Sequence, residues 1–251
     1  MKLKDYLIAL EKRNRWAENR FAAKFKRDFN QAFEPSINAI ASNPTDALQQ
    51  LPLLIKRDII YNSLKWLYVD YGLMHAKWFL SNFPMQRKSD DTFWLQHLER
   101  TFSTIGANKV TSIVNTTLDI AKPLIQDAIA ASLRGDSIDK IKNDIQKKIG
   151  HQGGVMSSGR ARTIARTEVI GSSNKATFEA IRLTGSKVEK KWITGGSNIR
   201  DTHIATAAQG WIPFDDFFRV GDSQMLHPGD SRGSAEEVIN CKCVLIFRLV
   251  N

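Results

Sequence analysis

The sequence predicts an α+β protein, mostly α, with an all-helical N-terminal region over residues 1–152 and a smaller α+β domain over residues 158–251. Three observations lead there. Up to Ile149, apolar residues recur every three or four positions, the period of helices that bury one face. A glycine- and serine-rich stretch, Gly150-His151-Gln152-Gly153-Gly154 with Ser157-Ser158-Gly159, then breaks the pattern and reads as a mobile domain boundary. Beyond it a leading helix gives way to strand-like runs at Val188–Thr194 and Ile239–Phe247, which predict a few antiparallel strands.

The first element predicted is an amphipathic helix over residues 3–33. Leu3, Leu7, Leu10, Ala17, Phe21 and Phe25 share one face, and Lys12, Arg13, Arg15, Arg20, Lys24, Lys26 and Arg27 fill much of the rest. Pro35 is expected to end it, because proline lacks the amide proton and clashes with the preceding turn. Ser42 or Thr45 is the expected cap of a short helix leading to Pro52, which opens a longer one running to about Leu80. That helix is dense in Trp66, Tyr68, Tyr71, Trp78 and Phe79, spread over more than one face, as core packing requires. A loop over 81–88 and caps at Ser89-Asp90-Asp91 precede a helix to about Phe102. Another follows from about Ala107 to Leu133, kinked at Pro123. Gly135 suits the left-handed position after it, and Asp136 is expected to cap a helix over 138–149.

Composition narrows the partners. Among 251 residues, 42% apolar and 25% charged is ordinary for a folded chain, whereas a formal net charge of +10 favours polyanions, nucleic acid first. The cationic face of the first helix, Arg13, Arg15, Arg20, Lys24 and Arg27, is the candidate contact with DNA, although such faces also serve simply as solvated surface. The apolar run after Met1-Lys2-Leu3-Lys4 is broken by Glu11-Lys12-Arg13, so no secretory signal is expected, nor any membrane span. Two cysteines spaced i to i+2 give no disulfide framework.

The last third of the chain carries the motifs. In order they are Ala165-Arg166-Thr167-Glu168, Lys191-Trp192, Arg200-Asp201-x-His203, Gly210, Phe217, Pro228-Gly229 and Asn240-Cys241-Lys242-Cys243. In this order and spacing they resemble the C-terminal domain of phage Mu F-like minor head proteins, the portal-associated head-morphogenesis proteins of tailed phages. Two departures stand out: Gly195-Gly196-Ser197 where the family usually has an acidic residue, and Cys-Lys-Cys where it usually has Cys-Arg-Cys. Lysine keeps the charge there but loses arginine's planar fork.

The resemblance implies an assembly role rather than turnover. Its expected partners are the portal protein, other head or scaffolding proteins and, non-specifically, phage DNA. Its expected location is the capsid interior near the portal, after assembly in the host cytoplasm. No cofactor and no membrane partner are expected.

Chemistry has candidates too. Arg162 and Arg166 share a helix face and suit a phosphate or carboxylate, or else Arg166 pairs with a glutamate to fix the helix to the sheet. His203 beside Asp201 is a conceivable general base, yet no serine sits in a nucleophile-elbow pattern. Cys241 and Cys243 are either small hydrophobes on a buried terminal strand or, with His203 and His227, a two-cysteine, two-histidine zinc set. The rival function is a metal-assisted nuclease or nucleotide-using transferase built on Arg166, Glu168, His203 and the cysteines. Trp192 reads as a core plug at the end of a strand.

Overall fold

A computed structural model describes residues 2–83, 91–150 and 157–250. The chain is mostly α with a small antiparallel β component near its C-terminus, as expected. Helix α1 spans Leu3–Ser42, α2 Pro44–Leu54 and α3 Arg57–Lys65, followed by a π-helical turn at Trp66–Tyr71 and α4 over Gly72–Asn82. Helices α5 (Asp91–Leu133), α6 (Ile138–Gly150) and α7 (Ser158–Thr184) come next. The remainder is β1 (Val188–Ile193), α8 (Asp201–Ala208), β2 (Trp211–Pro213), β3 (Phe218–Val220), β4 (Ser223–Met225), α9 (Ala235–Val238) and β5 (Val244–Leu249).

Several helix ends differ from those expected, each for a local reason. Pro35 lies inside α1 rather than ending it, and α5 runs as one helix through the expected break between Phe102 and Ala107 and through Pro123. A proline in a helix interior costs about 3 kcal/mol. Past Pro35 the helix buries Ser36, Ile37 and Ile40, and two buried isoleucines contribute about 3–6 kcal/mol against that cost. Pro52 likewise sits within α2 rather than opening a new helix. Asn43, not Ser42 or Thr45, caps α2 by accepting a hydrogen bond from the Asp46 amide. At α6, Ser137 Oγ accepts from the Lys140 amide, while Asp136 pairs with Lys140 and Arg134 instead of capping. Gly135 takes the left-handed conformation expected of it, φ 80°. The expected boundary stretch falls largely on 151–156, and the expected loop and caps largely on 84–90, outside the described residues.

Compactness divides the chain into two units by a different rule from a cut between 152 and 158. One unit joins residues 1–21, 65–103 and 163–251, and the other joins 22–64 and 104–162. The all-helical unit buries Phe25, Phe29 and Phe33 from α1, Ile60 and Leu64 from α3, Val114 and Ile125 from α5, and Ile141 and Ile145 from α6.

The other unit holds the strands. Its sheet runs β2-β1-β5, all antiparallel, with Lys191 opposite Trp211 and Trp192 opposite Leu245, and β3 and β4 form a separate hairpin. A three-stranded sheet this small cannot bury a face by itself. Tyr6 and Leu10 of α1, Ala76, Phe79 and Leu80 of α4, Trp94 of α5 and Phe178 and Ile181 of α7 share one apolar cluster with Val188, Trp192, Leu245 and Phe247. Residues from the expected all-α region therefore complete the core of the strand-bearing unit.

Candidate functional site

The site is built where α7, α8 and the segment before β5 meet inside the strand-bearing unit. Arg166 projects from α7 and is held by two hydrogen bonds to Glu18 of α1, Nη2 to Oε1 at 2.8 Å and Nε to Oε2 at 3.2 Å. Its remaining nitrogen, Nη1, donates to Asn240 Oδ1 at 2.6 Å. Arg166 thus does pair with a glutamate, but with Glu18 from the other end of the chain. Glu168 is buried and accepts from the Tyr68 hydroxyl at 2.8 Å. Thr167 Oγ1 accepts from the Asn240 amide at 2.9 Å. Arg162, four residues before Arg166, belongs to the other unit.

The segment carrying the cysteines is not strand. Cys241 and Cys243 precede β5, after Asn240 in the left-handed conformation at φ 62°. Strand alternation is therefore not what turns both thiols to one side. A buried asparagine fixes the segment instead. Asn174 of α7 donates to the Cys243 carbonyl at 3.1 Å and accepts from the Leu245 amide at 2.9 Å. The Cys243 amide in turn donates to Cys241 Sγ at 3.3 Å.

His203 faces both sulfurs from the first turn of α8. Its Nδ1 lies 3.3 Å from Cys243 Sγ and 3.7 Å from Cys241 Sγ. All three residues are about 2% exposed. The Nε2 side lies 3.0 Å from Glu237 Oε2, which also accepts from the Thr202 hydroxyl, but it is not aligned to donate a hydrogen bond to that carboxylate. The hydrogen bond from Cys241 is the main influence drawing the Cys243 thiol well below its usual range; burial opposes it, and His203 and Trp192 assist. The same bond, with burial, pushes Cys241 up. Thiolate character therefore concentrates on Cys243.

These groups floor a cleft of about 280 Å³ whose walls are Gly195, Ser197, Asn198, Ile199 and Lys242 with Arg166, Arg200 and Asn240. Three cations and no carboxylate line it, so it suits an anionic group. Arg200 is anchored by donating to the Ile239 carbonyl at 2.5 Å. Gly195 is required where it stands, because a Cβ there would come within 2.3 Å of the Lys242 carbonyl oxygen. The departure from an acidic residue in this stretch thus coincides with a close backbone approach.

A curated relative matches part of the chain. The uncharacterized protein YqbB of Bacillus subtilis (strain 168) is 36% identical over 91 residues, covering 34% of this chain and 30% of that protein. No protein-family signature matches the chain, and no solved structure matches it.

Of the candidate residues, the cleft gathers Arg166, Arg200, His203, Asn240, Cys241 and Cys243. Other candidates lie elsewhere. Trp192 is fully buried, edge-on to His203 and Phe218, and supports the site from behind. Asp201 is exposed in the first turn of α8. Pro228 is buried, and Gly229 beside it crosses Gly171 of α7 so closely that a Cβ would lie 2.6 Å from the Gly171 Cα. His227 does not join the cysteines as the zinc reading expected. The metal-capable group among the described residues is His203, Cys241 and Cys243, whereas His227 packs on Phe178 and interacts with Asp230.

The basic face of α1 also divides. Arg15, Arg20 and Arg27 are exposed, but Arg13 stacks over Tyr71 and Trp78, and Lys24 is tied to Asp28 and Ser63. Sequence reading missed Glu18, Asn174 and Glu237. Asn174 left a signal, since an asparagine within a helix has an amide that, once buried, needs hydrogen-bond partners.

Proposed function

We propose that this protein is a minor capsid, or head-morphogenesis, protein of a tailed phage or prophage, which associates with the portal inside the head and supports assembly, DNA packaging or delivery. The observation that carries the reading is the convergence of motif pieces scattered from Arg166 to Cys243 on one braced cleft. Their side chains are largely spent on one another: Arg166 on Glu18 and Asn240, Thr167 on the Asn240 amide, Arg200 on the Ile239 carbonyl. Groups held this way maintain a shape for a partner. The net charge of +10 supports non-specific contact with packed DNA through phosphate neutralisation.

Particles purified after induction of the phage or prophage should contain the protein together with the portal, and co-expressed portal protein should retain it on an affinity column. Particles that carry portal and major capsid protein but not this chain would overturn the reading.

The rival, a metal-assisted nuclease or nucleotide-using transferase, draws support from the cationic cleft above the His203 cluster. Its proposed acid, Glu168, is turned to Tyr68 and does not line that cleft. Hydrolysis of DNA or a nucleotide that is lost in Arg200→Ala, with the fold intact, would favour the rival.

A further inference from the structure

We propose that His203, Cys241 and Cys243 bind a zinc ion through Nδ1 and the two thiolates, leaving a fourth coordination position directed into the cleft lined by Arg166, Arg200 and Lys242. The inference does not rest on the proposed role in the phage head.

The geometry is the argument. A tetrahedral zinc with Zn–S of about 2.3 Å and Zn–N of about 2.0–2.1 Å sets its sulfur and nitrogen ligands about 3.5–3.6 Å apart. The two S···N separations are 3.3 and 3.7 Å, and all three ligand atoms fall within 4.8 Å of one another. The ligands come from two sources, each held by its own hydrogen bonds. The helix α8 supplies the histidine, and the segment pinned by Asn174 supplies both cysteines.

The surroundings match those of a metal centre. The Cys243 amide already points at Cys241 Sγ, the kind of N–H···S contact that stabilises a ligating thiolate. Glu237 stands 3.0 Å from His203 Nε2, where a small rotation of the ring would let that nitrogen donate to the carboxylate. This is the carboxylate–histidine–metal arrangement that fixes the tautomer and leaves Nδ1 free to ligate. His203 Nε2 is a buried polar atom with no hydrogen bond among the described residues, so that rotation would give it a partner. His227 is engaged elsewhere and supplies no fourth ligand. The remaining position faces the cleft, where water or an anionic oxygen completes the tetrahedron and the nearby cations favour phosphate or carboxylate.

The test uses the full chain. Protein purified from zinc-supplied cells should contain about one zinc by elemental analysis. After chelation, titration with Co²⁺ should produce a thiolate-to-cobalt charge-transfer band together with the intense visible bands of tetrahedral cobalt. Added phosphate or azide should shift the visible bands, because the fourth ligand exchanges. Glu237→Gln should keep the charge-transfer band while weakening metal affinity about 10–100-fold. The double change Cys241→Ser and Cys243→Ser should abolish the band, with folding checked by circular dichroism.

Wild-type protein that carries no zinc and gives no charge-transfer band with excess Co²⁺ would overturn the site. So would a band that survives in the double variant. Visible bands indifferent to both anions would overturn the open fourth position.

Discussion

At the scale of single residues, Lys190 has the most unusual place. It points into the core from β1, fully buried, with Nζ donating to the Leu226 carbonyl at 3.0 Å. The rings of Phe178, Phe218 and Phe214 lie 5.1, 5.3 and 5.9 Å from that nitrogen. Burial pulls its pKa down to about 8, a shift that Asp215, Asp216 and Asp230 partly offset. Lys190→Ala removes the stem, the hydrogen bond and the ring contacts together, and should cost about 2–4 kcal/mol in urea denaturation. Lys190→Met keeps the stem and should cost less than half of that; equal losses would place the effect in the charge rather than the packing.

Two buried histidines set the response to acid. Burial, helped by the Arg13 guanidinium, lowers His75 to about 3, and burial lowers His227 to about 4, with Asp230 acting against it. Because both folded values lie below the unfolded one of about 6.5, the unfolded chain takes up these protons first. Their contribution to stability is intact above about pH 6.5 and is lost as the pH falls toward 4 and then 3. Glu179 adds its share lower down. Burial alone would raise its carboxyl, but His97, Lys175 and Arg182 together hold it at about 2, so its contribution fades only below about pH 4.5. Between pH 6.5 and 4.5, His75→Phe should therefore lower the slope of stability against pH by up to about 1.4 kcal/mol per unit, the most that one histidine supplies. An unaltered slope would show that His75 does not titrate on unfolding.

At the scale of elements, α1 shows how far packing outweighs a local breaker. Its buried face, Tyr6, Leu10, Asn14, Ala17, Phe21, Phe25, Phe29 and Phe33, keeps helical spacing and continues through Ile37 and Ile40 beyond Pro35. Leu3, expected on that face, is half exposed because the buried stripe starts at Tyr6. If the helix persists only because those isoleucines are buried, Pro35→Ala should raise stability by about 1–2 kcal/mol in thermal denaturation, by restoring a hydrogen bond and removing a clash. A loss of stability would mean that the distortion at Pro35 is itself needed for packing. In the π-helical turn, the Leu67 carbonyl accepts from the Gly72 amide and also from the Ser172 hydroxyl of α7 at 3.1 Å.

At the scale of the whole molecule, the charge of +10 is expected to act through side chains that remain exposed. On α1 these are Arg15, Arg20 and Arg27, whereas Arg13 packs on Tyr71 and Trp78 and half-buried Lys24 is tied to Asp28 and Ser63. Reversing the three exposed arginines to glutamate should weaken DNA binding. It should also reduce the slope of log K against log salt by up to about 3, close to 0.9 for each phosphate that is no longer neutralised. An unchanged slope would mean that this face does not meet nucleic acid. Arg13→Glu should instead lower stability, since it places a carboxylate against Tyr71 and Trp78.

Short-range features were legible in the order of residues. Periodicity located most of the helices, the strand-like run from Val188 located β1, and Gly135 announced the stop before α6. The order of the motifs also singled out Arg166, Arg200, His203, Asn240 and the cysteines, which the structure gathers around one cleft. Features that depend on distant partners emerge in the folded chain. Glu18 reaches Arg166 across 148 positions, Asn174 orders the cysteine segment across about 70, and residues 1–21 and 65–103 join the strand-bearing unit. The physical reason is the same in each case. A helix or strand is fixed by its neighbours in the chain, but a buried arginine, amide or small sheet must find its complement wherever folding places it, and spacing carries no record of that choice.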